Sequence, residues 1–201
     1  MAIKPILFNS EMVRAILDGR KTCTRRVLKT RRKDACGFYV TKRLDGSFAG
    51  IYEYDEDERM FENQLIPPYQ LGDILYARES YSELSFGYVY KADGENIDHL
   101  GNVIKWRPSI HMPKEAARIW LKVTDVRVER LQDITSEQIY REGTEVEEPF
   151  VLNGEEKRYA FSVLWDSTIK KSDLDRYGWD ANPWVWVIEF ERCEKPEEER
   201  R

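Results

Sequence analysis

The sequence predicts an α+β fold in which a small mixed β-barrel is covered by a few short helices. Short apolar segments of the kind that form strands outnumber the helical segments. Asp-Gly pairs at Asp45-Gly46 and Asp93-Gly94 carry the turn chemistry that joins antiparallel strands. No repeat and no long Gly, Ser or Pro linker divides the chain. We therefore expect one domain over residues 1–193 and a charged, frayed tail over residues 194–201.

The strand predictions rest on short runs of β-branched, aromatic and other apolar residues. These runs cover residues 3–8, 38–40, 48–54, 73–78, 88–92, 119–130 and 184–190. Within residues 119–130 the alternation of apolar side chains shifts by one position near Thr124-Asp125. Such an offset is typical of a β-bulge or a bend in the strand, so we expect one of the two there.

Three helices are predicted. Ser10 is placed to cap the first, which ends at Gly19. Thr135 is placed to cap the second, with Gln138 in the capping-box position and Gly143 as the stop. The third is predicted over residues 159–169, with Tyr159, Val163 and the stretch from Trp165 to Ile169 as candidates for the inward face.

Composition excludes several classes of protein. Three cysteines and two histidines, without short repeated spacing, predict neither a disulfide framework nor a metal site. No apolar run is long enough to span a bilayer, and residues 1–5 start no signal peptide. We therefore predict a cytoplasmic protein with no membrane partner, no metal and no cofactor.

Charge is unevenly distributed along a chain whose net charge is −5. Residues 14–33 contain nine basic side chains and one acidic one, whereas residues 53–62 contain six acidic side chains and one basic one. A basic patch on an acidic protein suits an anionic ligand held at one place. The alternative is that two solvated faces compensate each other.

The segment from Gly19 to Arg26 concentrates this chemistry. Because Gly19 ends a helix, we expect the following residues to form a tight turn that offers backbone N–H groups, hydroxyls and cations together. Lys21, Thr24 and the pair Arg25-Arg26 lie within it. The alternative is a solvated basic loop without a ligand.

This segment resembles the Gly-x-Lys-x-x-x-Arg signature of ASCH domains, a family related to PUA domains. Further segments resemble family elements in the same order, at residues 71–75, 121–126, 134–143 and 186–190. Residues 105–113 and 179–186 are similar to a prophage-associated ASCH subgroup. The resemblance covers nearly the whole chain and implies a PUA-like barrel.

Some bacterial ASCH proteins are amidohydrolases that remove the acetyl group from 4-acetylcytidine. Matching their motifs implies a metal-independent catalytic site of Lys21, Thr24 and Glu142. This chain is about twice as long as those enzymes, with insertions at about residues 27–69, 79–116 and 143–180. The insertions can cap the site and change its substrate.

The resemblance leaves the catalytic roles open. The Thr24 hydroxyl is a nucleophile that needs a base, and Lys21 can serve if it is neutral. Glu142 can orient Lys21 or protonate the leaving amine, but beside Lys21 it would favour the charged lysine. Thr22 is a competing hydroxyl. Cys23 lies inside the motif and is interpreted as a small buried side chain that packs in the interior.

Several side chains are predicted to bind the ligand because they are charged or titratable and lie in or near the matched motifs. They are Arg20, Arg25, Arg26, Arg78, Glu79, Arg107 and His111. His111 also has a plainer interpretation, as a packed residue in a Pro-bounded loop.

Two hypotheses therefore follow from the sequence. The first is an amidohydrolase acting on an N-acylated, cytidine-type nucleoside. The second is a non-catalytic module that binds RNA or a modified base through the basic patch. In both, the partner is a nucleoside or RNA, and the oligomeric state is open.

Overall fold

The computed structural model describes residues 1–46, 48–94, 96–98, 100–144 and 154–197. Residues 198–201 of the predicted tail and residues 145–153 of the third predicted insertion lie outside this range. The strands and helices are, in chain order, β1 (Ile3–Leu7), α1 (Ser10–Leu17), β2 (Cys23–Val27), β3 (Gly37–Lys42), β4 (Phe48–Tyr54), β5 (Met60–Gln64), β6 (Ile74–Arg78), β7 (Tyr81–Leu84), β8 (Gly87–Tyr90), β9 (Trp120–Arg130), α2 (Ser136–Arg141), α3 (Gly154–Ser167), α4 (Leu174–Tyr177) and β10 (Trp184–Cys193).

The main sheet has five strands in the order β1-β6-β9-β10-β2, and smaller sheets are formed by β3-β4-β5 and β7-β8. Strand β1 runs parallel to β6, whereas β6, β9, β10 and β2 pair antiparallel. Helices and mixed sheets in one chain confirm the predicted α+β class.

The main sheet does not close into a barrel. Within the described residues, β1 pairs with β6 alone and β2 pairs with β10 alone, so these two strands are the edges of the sheet. The edges approach each other without a backbone ladder. Instead, the Arg26 guanidinium on β2 donates to the Leu7 carbonyl at the end of β1, at 2.9 Å. A seam therefore remains open between the two edge strands.

The long antiparallel pair β9–β10 contains the predicted bulge. Glu189 is paired with Asp125, but the next residue, Phe190, is paired with Val123. Thr124 is therefore the extra residue, which confirms the bulge predicted from the apolar pattern.

The helix ends are set by side-chain caps. Thr135 and Gln138 form the predicted capping box of α2. The first helix is capped one residue earlier than predicted, because the Asn9 side chain accepts the amide hydrogen of Met12 at 2.8 Å.

Helix α3 buries the predicted Trp165, but not the predicted Tyr159 and Val163. Phe161 and Trp165 are buried, whereas Tyr159 and Val163 are 72% and 54% exposed. The two buried aromatic side chains are four residues apart and pack with Val185 and the residues around α2. Their larger apolar area explains why this face turns inward.

The principal core lies between the main sheet and α1. Its buried members include Ile6, Val13, Ile16, Leu75, Leu121 and Ile188. Strands β2, β5 and β7 were not predicted, because each combines charged or polar residues with few apolar ones. Among the described helices, none has the length and apolar character needed to cross a bilayer.

Asp73 fixes the start of β6 to the N-terminal strand. Its buried carboxylate accepts from Lys4 Nζ at 2.8 Å and from the amides of Ala2 and Gln70 at 2.9 and 3.0 Å. Burial alone would raise the pKa of Asp73, but the hydrogen bonds from these three donors lower it below the ordinary value. The ionised carboxylate therefore stabilises the folded state.

Replacing Asp73 with Asn should lower the free energy of unfolding at pH 7 by about 1–3 kcal/mol, because buried donors lose a charged acceptor. Since the folded pKa lies below the unfolded value of about 3.9, this contribution is complete above that pH. It is lost as the pH falls through the folded pKa. Urea unfolding of both proteins from pH 7 to pH 2 measures the difference.

Asp57→Asn is the matched control, since Asp57 pairs with Arg59 on the surface and both side chains are more than half exposed. It should leave the unfolding free energy almost unchanged. A wild-type advantage over Asp73→Asn that stays constant down to pH 2 would contradict the role assigned to the carboxylate.

Candidate functional site

The chain from Gly19 to Thr22 is held between two helices. Gly19 adopts a φ of +77° at the end of α1, which suits glycine. The Lys21 amide then donates to the Ala15 carbonyl, and the Thr22 amide donates to the Arg141 carbonyl at the end of α2, both at 2.9 Å. The predicted turn is therefore short, and from Cys23 onward the segment is the edge strand β2.

Lys21 is buried, with 3% of its surface exposed. Its ammonium donates to the Cys23 carbonyl at 2.8 Å, to the Glu142 carbonyl at 2.7 Å and to Glu142 Oε2 at 2.9 Å. A lysine ammonium has three N–H donors and no acceptor. Each donor of Lys21 is thus matched with one oxygen.

Glu142 is placed by the end of α2, where it is the C-terminal cap. Its carboxylate lies between two cations, with Oε2 at 2.9 Å from Lys21 Nζ and Oε1 at 3.0 Å from Arg25 Nη1. All three side chains are buried. The sequence-predicted pair of Lys21 and Glu142 is therefore in direct contact, 121 residues apart in the chain.

Gly143 makes this contact possible. Its φ is +80°, and a Cβ built on it would lie 2.7 Å from the Ala15 Cβ and 2.9 Å from the Lys21 Cβ. Both the backbone conformation and the close approach exclude a side chain. The Glu-Gly pair thus lets the end of α2 sit against α1 and Lys21.

Arg25 connects this pair to the neighbouring strand β9. Its Nη2 donates to Glu129 Oε2 and to Gln138 Oε1, both at 3.1 Å, while Nη1 binds Glu142. Its Nε–H is buried and has no hydrogen-bond partner within the described part of the chain. A buried cation in this cluster therefore keeps one donor without a partner among the described residues.

Thr24 is buried in the same strand, with 3% of its surface exposed, and it lines the cavity described next. Among the described residues, no hydrogen bond to its hydroxyl is found. The hydroxyl is therefore free to bind or attack a molecule in the cavity.

A cavity of about 210 Å³ lies between β1 and β2 and is covered by α3. One side is polar and contains the buried charges, and the other is apolar. The polar side consists of Asn9, Lys21, Thr24, Arg25, Arg26 and Glu142, and the rest of the lining is Leu7, Phe8, Met12, Phe161, Leu164, Trp165 and Thr168. The cavity is smaller than the roughly 300–1,000 Å³ of sites for drug-sized ligands, and suits one heterocyclic base.

The Arg26 side chain bridges the two edge strands beside the cavity. Besides binding the Leu7 carbonyl, its guanidinium lies 5.6 Å from the centre of the Phe8 ring, and Lys21 Nζ lies 5.7 Å from the same ring. Burial lowers the pKa of Arg26, although an arginine still carries its charge near neutral pH. Both cations are therefore within cation–π distance of the Phe8 ring.

Cys23 is buried, as predicted, and its thiol lies 3.9 Å from the Gln138 carbonyl. Burial, together with the negative charge of Glu142, raises the pKa of this thiol to about 12. A thiol with so high a pKa supplies almost no thiolate at neutral pH, so Cys23 is unsuited to nucleophilic attack.

The remaining predicted ligand-binding residues are not among those that line this cavity. Arg20 lies on the outer side of the turn, where it donates to the Gly143 carbonyl at 3.3 Å and to Asp18. Arg78 donates to the Met112 carbonyl at 2.7 Å. Glu79 is buried and holds Arg118 through two hydrogen bonds of 2.9 and 3.0 Å. These contacts stabilise the fold.

Arg107 and His111 belong to the surface around β7. Both side chains are exposed. Arg107 exchanges backbone hydrogen bonds with Tyr81, and the His111 carbonyl accepts from the Tyr81 hydroxyl at 3.0 Å. The interpretation of His111 as part of a packed loop describes its backbone, while its imidazole faces solvent.

Sequence reasoning missed the apolar wall and the second carboxylate. Phe161 and Trp165 lie in α3, whose inward face was predicted only in part. Glu129 lies in a strand with charged residues on both faces. Glu129 can be identified as a neighbour of Arg25 only from its cross-strand position. It is opposite Val185, which in turn is opposite Val27, two residues from Arg25.

No protein-family model and no curated protein matches the chain. Two solved structures have a similar fold. The ASCH domain from Lactobacillus crispatus JV V101 has a TM-score of 0.41 and 10% identity over 95% of this chain and 79% of that one. The hypothetical protein PH0355 has a TM-score of 0.36 and 16% identity over 96% of this chain and 100% of that one. At these values neither structure transfers a function to the chain.

Gly143→Ala should lower the free energy of unfolding by more than the ~1–2 kcal/mol that a positive φ alone costs a residue with a side chain. The added methyl group meets Ala15 and Lys21 at less than 3.0 Å. Gly19→Ala is the matched control, because Gly19 also has a positive φ but nothing lies within 4 Å of an added Cβ. Equal losses for the two variants in urea unfolding would contradict the close packing at Gly143.

The thiols should react at very different rates. At pH 8, Ellman's reagent should modify the exposed Cys36 in the folded protein and leave the buried Cys23 unmodified until denaturant is added. Cys36→Ser should remove the fast phase, and Cys23→Ser should leave it intact. Loss of the fast phase in Cys23→Ser would show that the Cys23 thiol is accessible and reactive.

Proposed function

We propose that this protein cleaves the amide of an N-acylated, cytidine-type nucleoside, releasing the nucleoside and a carboxylate. The observation that carries the proposal is the convergence of Lys21, Thr24 and Glu142 in one cavity with an apolar wall. The sequence resemblance to ASCH amidohydrolases points to the same three residues. Such a site needs a nucleophile, a proton acceptor and a proton donor, and these side chains offer them.

The shape and chemistry of the cavity support a modified pyrimidine as ligand. Phe8, Phe161 and Trp165 offer aromatic surface on which a base can lie. The polar side offers the Thr24 hydroxyl and the unpartnered Arg25 Nε–H. A flat ring with carbonyl oxygens and an acylated amino group matches a cavity with one apolar and one cationic side.

The hydrogen bonds of Lys21 favour the role of proton donor over that of base. Its three N–H groups each have an acceptor, so the amine presents no lone pair to the Thr24 hydroxyl. Glu142 uses one lone pair on each carboxylate oxygen for Lys21 and Arg25, and a second remains on each. We therefore assign proton acceptance to Glu142.

The reaction then runs as a closed proton cycle. The Thr24 oxygen attacks the acyl carbon, and its proton passes to Glu142. The carbon–nitrogen bond breaks, and Lys21 gives a proton to the departing amino group, leaving the acyl group as an ester on Thr24. The proton on Glu142 returns to Lys21 along their 2.9 Å hydrogen bond. Water hydrolyses the ester through the same groups.

Arg25 is the residue suited to stabilise the oxyanion that forms during attack. It is buried and fixed by Glu142, Glu129 and Gln138, so it needs no reorganisation when negative charge develops. Its remaining Nε–H is a donor without a partner in the described structure. A preorganised donor of this kind accounts for about 2.7–4 kcal/mol of transition-state stabilisation in known acyl-transfer sites.

The second candidate function is binding of a modified base without catalysis. The observation that favours it is the saturation of Lys21, whose three hydrogen bonds also describe a purely structural ammonium that holds β2 to α2. In that case the cavity recognises a base through shape, stacking and the Arg25 donor alone.

Incubation with 4-acetylcytidine, followed by chromatography of released cytidine, tests the proposal. Wild type should turn over, and Thr24→Val and Lys21→Met should lose at least about 100-fold in kcat/KM, the contribution typical of such groups. Thr22→Val is the matched control. The Thr22 hydroxyl accepts from Arg141 outside the cavity lining, so activity should persist. Binding of 4-acetylcytidine without any turnover would establish the second candidate function instead.

The role of Lys21 has its own test. An acetate ester with a nitrophenolate leaving group departs without needing a proton. Lys21→Met should therefore recover much of its activity on this ester relative to the amide, whereas Thr24→Val should be inactive on both. Equal losses on ester and amide in Lys21→Met would contradict the assignment of Lys21 as proton donor.

A further inference from the structure

A second cavity, of about 260 Å³, lies at one end of the main sheet, where β2 and β9 end and β10 begins. Its walls include Leu28 and Thr30 after β2, and Arg130 and Trp184, which are opposite each other on β9 and β10. Arg176 and Tyr177 at the end of α4 complete it. No predicted site residue lines this cavity.

Its cations are stacked on aromatic rings. The Arg130 guanidinium lies 4.4 Å from the centre of the Trp184 ring. Lys29 Nζ and the Arg176 guanidinium lie 5.4 and 5.5 Å from the centre of the Tyr177 ring. All three cations are exposed. Arg130 Nη1 also donates to the Asn182 carbonyl at 3.0 Å, which together with the ring contact fixes the guanidinium and leaves its other N–H groups for a ligand.

These cations have no acidic partner among the described residues, unlike several other cations of the chain. Arg118, Arg127 and Arg141 all form close ion pairs. Within the described ranges, neither Arg130 nor Arg176 forms one, and Lys29 forms none either. Three unneutralised cations at one place on a chain with a net charge of −5 favour an anionic ligand.

Rings and cations in this combination fit a nucleotide. Phosphate oxygens bind arginine and lysine, and a base can stack on an aromatic ring or on a guanidinium plane. The acidic neighbours Asp175 and Asp180 do not line the cavity. The ligand class is therefore one phosphate group together with a flat heterocycle.

The walls of the two cavities share a chain segment and a hydrogen bond. The chain from Lys21 to Thr30 lines both of them, and its geometry limits the separation of the Thr24 and Thr30 Cα atoms to about 22 Å. The Trp165 indole, in the wall of the first cavity, donates to the carbonyl of Tyr177, in the wall of the second, at 2.8 Å. A chain of a few nucleotides can span this distance.

We propose that the second cavity holds a nucleotide that flanks the one whose base enters the first cavity. The substrate is then a modified nucleoside within a single-stranded polynucleotide, because a base must leave any stack to enter the first cavity. This inference rests on the function proposed for that cavity. Arg130, Arg176 and Lys29 bind backbone phosphate, and the rings of Trp184 and Tyr177 hold the neighbouring base.

The test uses a fluorescently labelled single-stranded RNA decamer with one acetylated cytidine, and measures binding by anisotropy at several salt concentrations. Arg130→Gln with Arg176→Gln should weaken binding by about tenfold or more and lower the salt dependence, by about 0.7 per lost phosphate contact. The matched control, Lys122→Gln with Arg192→Gln, removes two exposed charges from β9 and β10 at the end of that strand pair opposite to Arg130. It should bind within about twofold of wild type.

Turnover of free 4-acetylcytidine separates this inference from the proposed function. The Arg130 and Arg176 variant should cleave the free nucleoside as wild type does, and lose rate on the decamer. Equal binding losses in both double variants, or no loss in either, would overturn the inference even if the free nucleoside is cleaved. If nothing is cleaved, the proposed function fails, and the anisotropy measurement still decides whether the second cavity binds the polynucleotide.

Discussion

Glu142 lies within hydrogen-bond distance of both Lys21 and Arg25, so three charges are buried in one cluster. Removing an ion from water costs several kcal/mol unless partners replace the lost solvent. The carboxylate of Glu142 meets one cation on each oxygen, and Glu129 meets the second side of Arg25. The end of α2 and the strands β2 and β9 must therefore adopt their mutual positions together. Loss of Glu142 would leave the buried Lys21 ammonium without a carboxylate partner.

The cluster continues outward as a chain of alternating charge. Glu129 binds Arg127 at 2.6 Å, Arg127 binds Glu189 at 2.6 Å, and Glu189 binds Arg141 at 2.6 Å. Arg141 returns to the start of β2 by donating to the Thr22 hydroxyl. The ion pairs thus form a loop that begins and ends beside the motif. Such a network fixes the register of strands that come from distant parts of the sequence.

Local sequence signals predicted local structure well. Thr135 and Gln138 define a cap through their spacing alone, and the shifted alternation near Thr124 identifies the bulge, because both effects act within a few residues. Strand β2 was expected to be a turn, since Arg25 and Arg26 lack the apolar alternation of a strand. Their burial depends on Glu129 and Glu142, which are more than 100 residues away. The inward positions predicted for Tyr159 and Val163 were wrong for a similar reason, because packing against Val185 decides which face of α3 is buried.

Because the sheet is open between β1 and β2, the residues that pack the core and those that shape the cavity are largely different. The interior is packed by the central strands, so residues along the seam contribute less to it. The wall formed by Leu164 and Thr168 comes from a helix that takes no part in the ion cluster. Substitutions at these two positions of α3 can change which heterocyclic ring fits the cavity without altering the charged residues of its polar side. The fold can therefore evolve a new specificity by drift in one helix, without passing through an unstable intermediate.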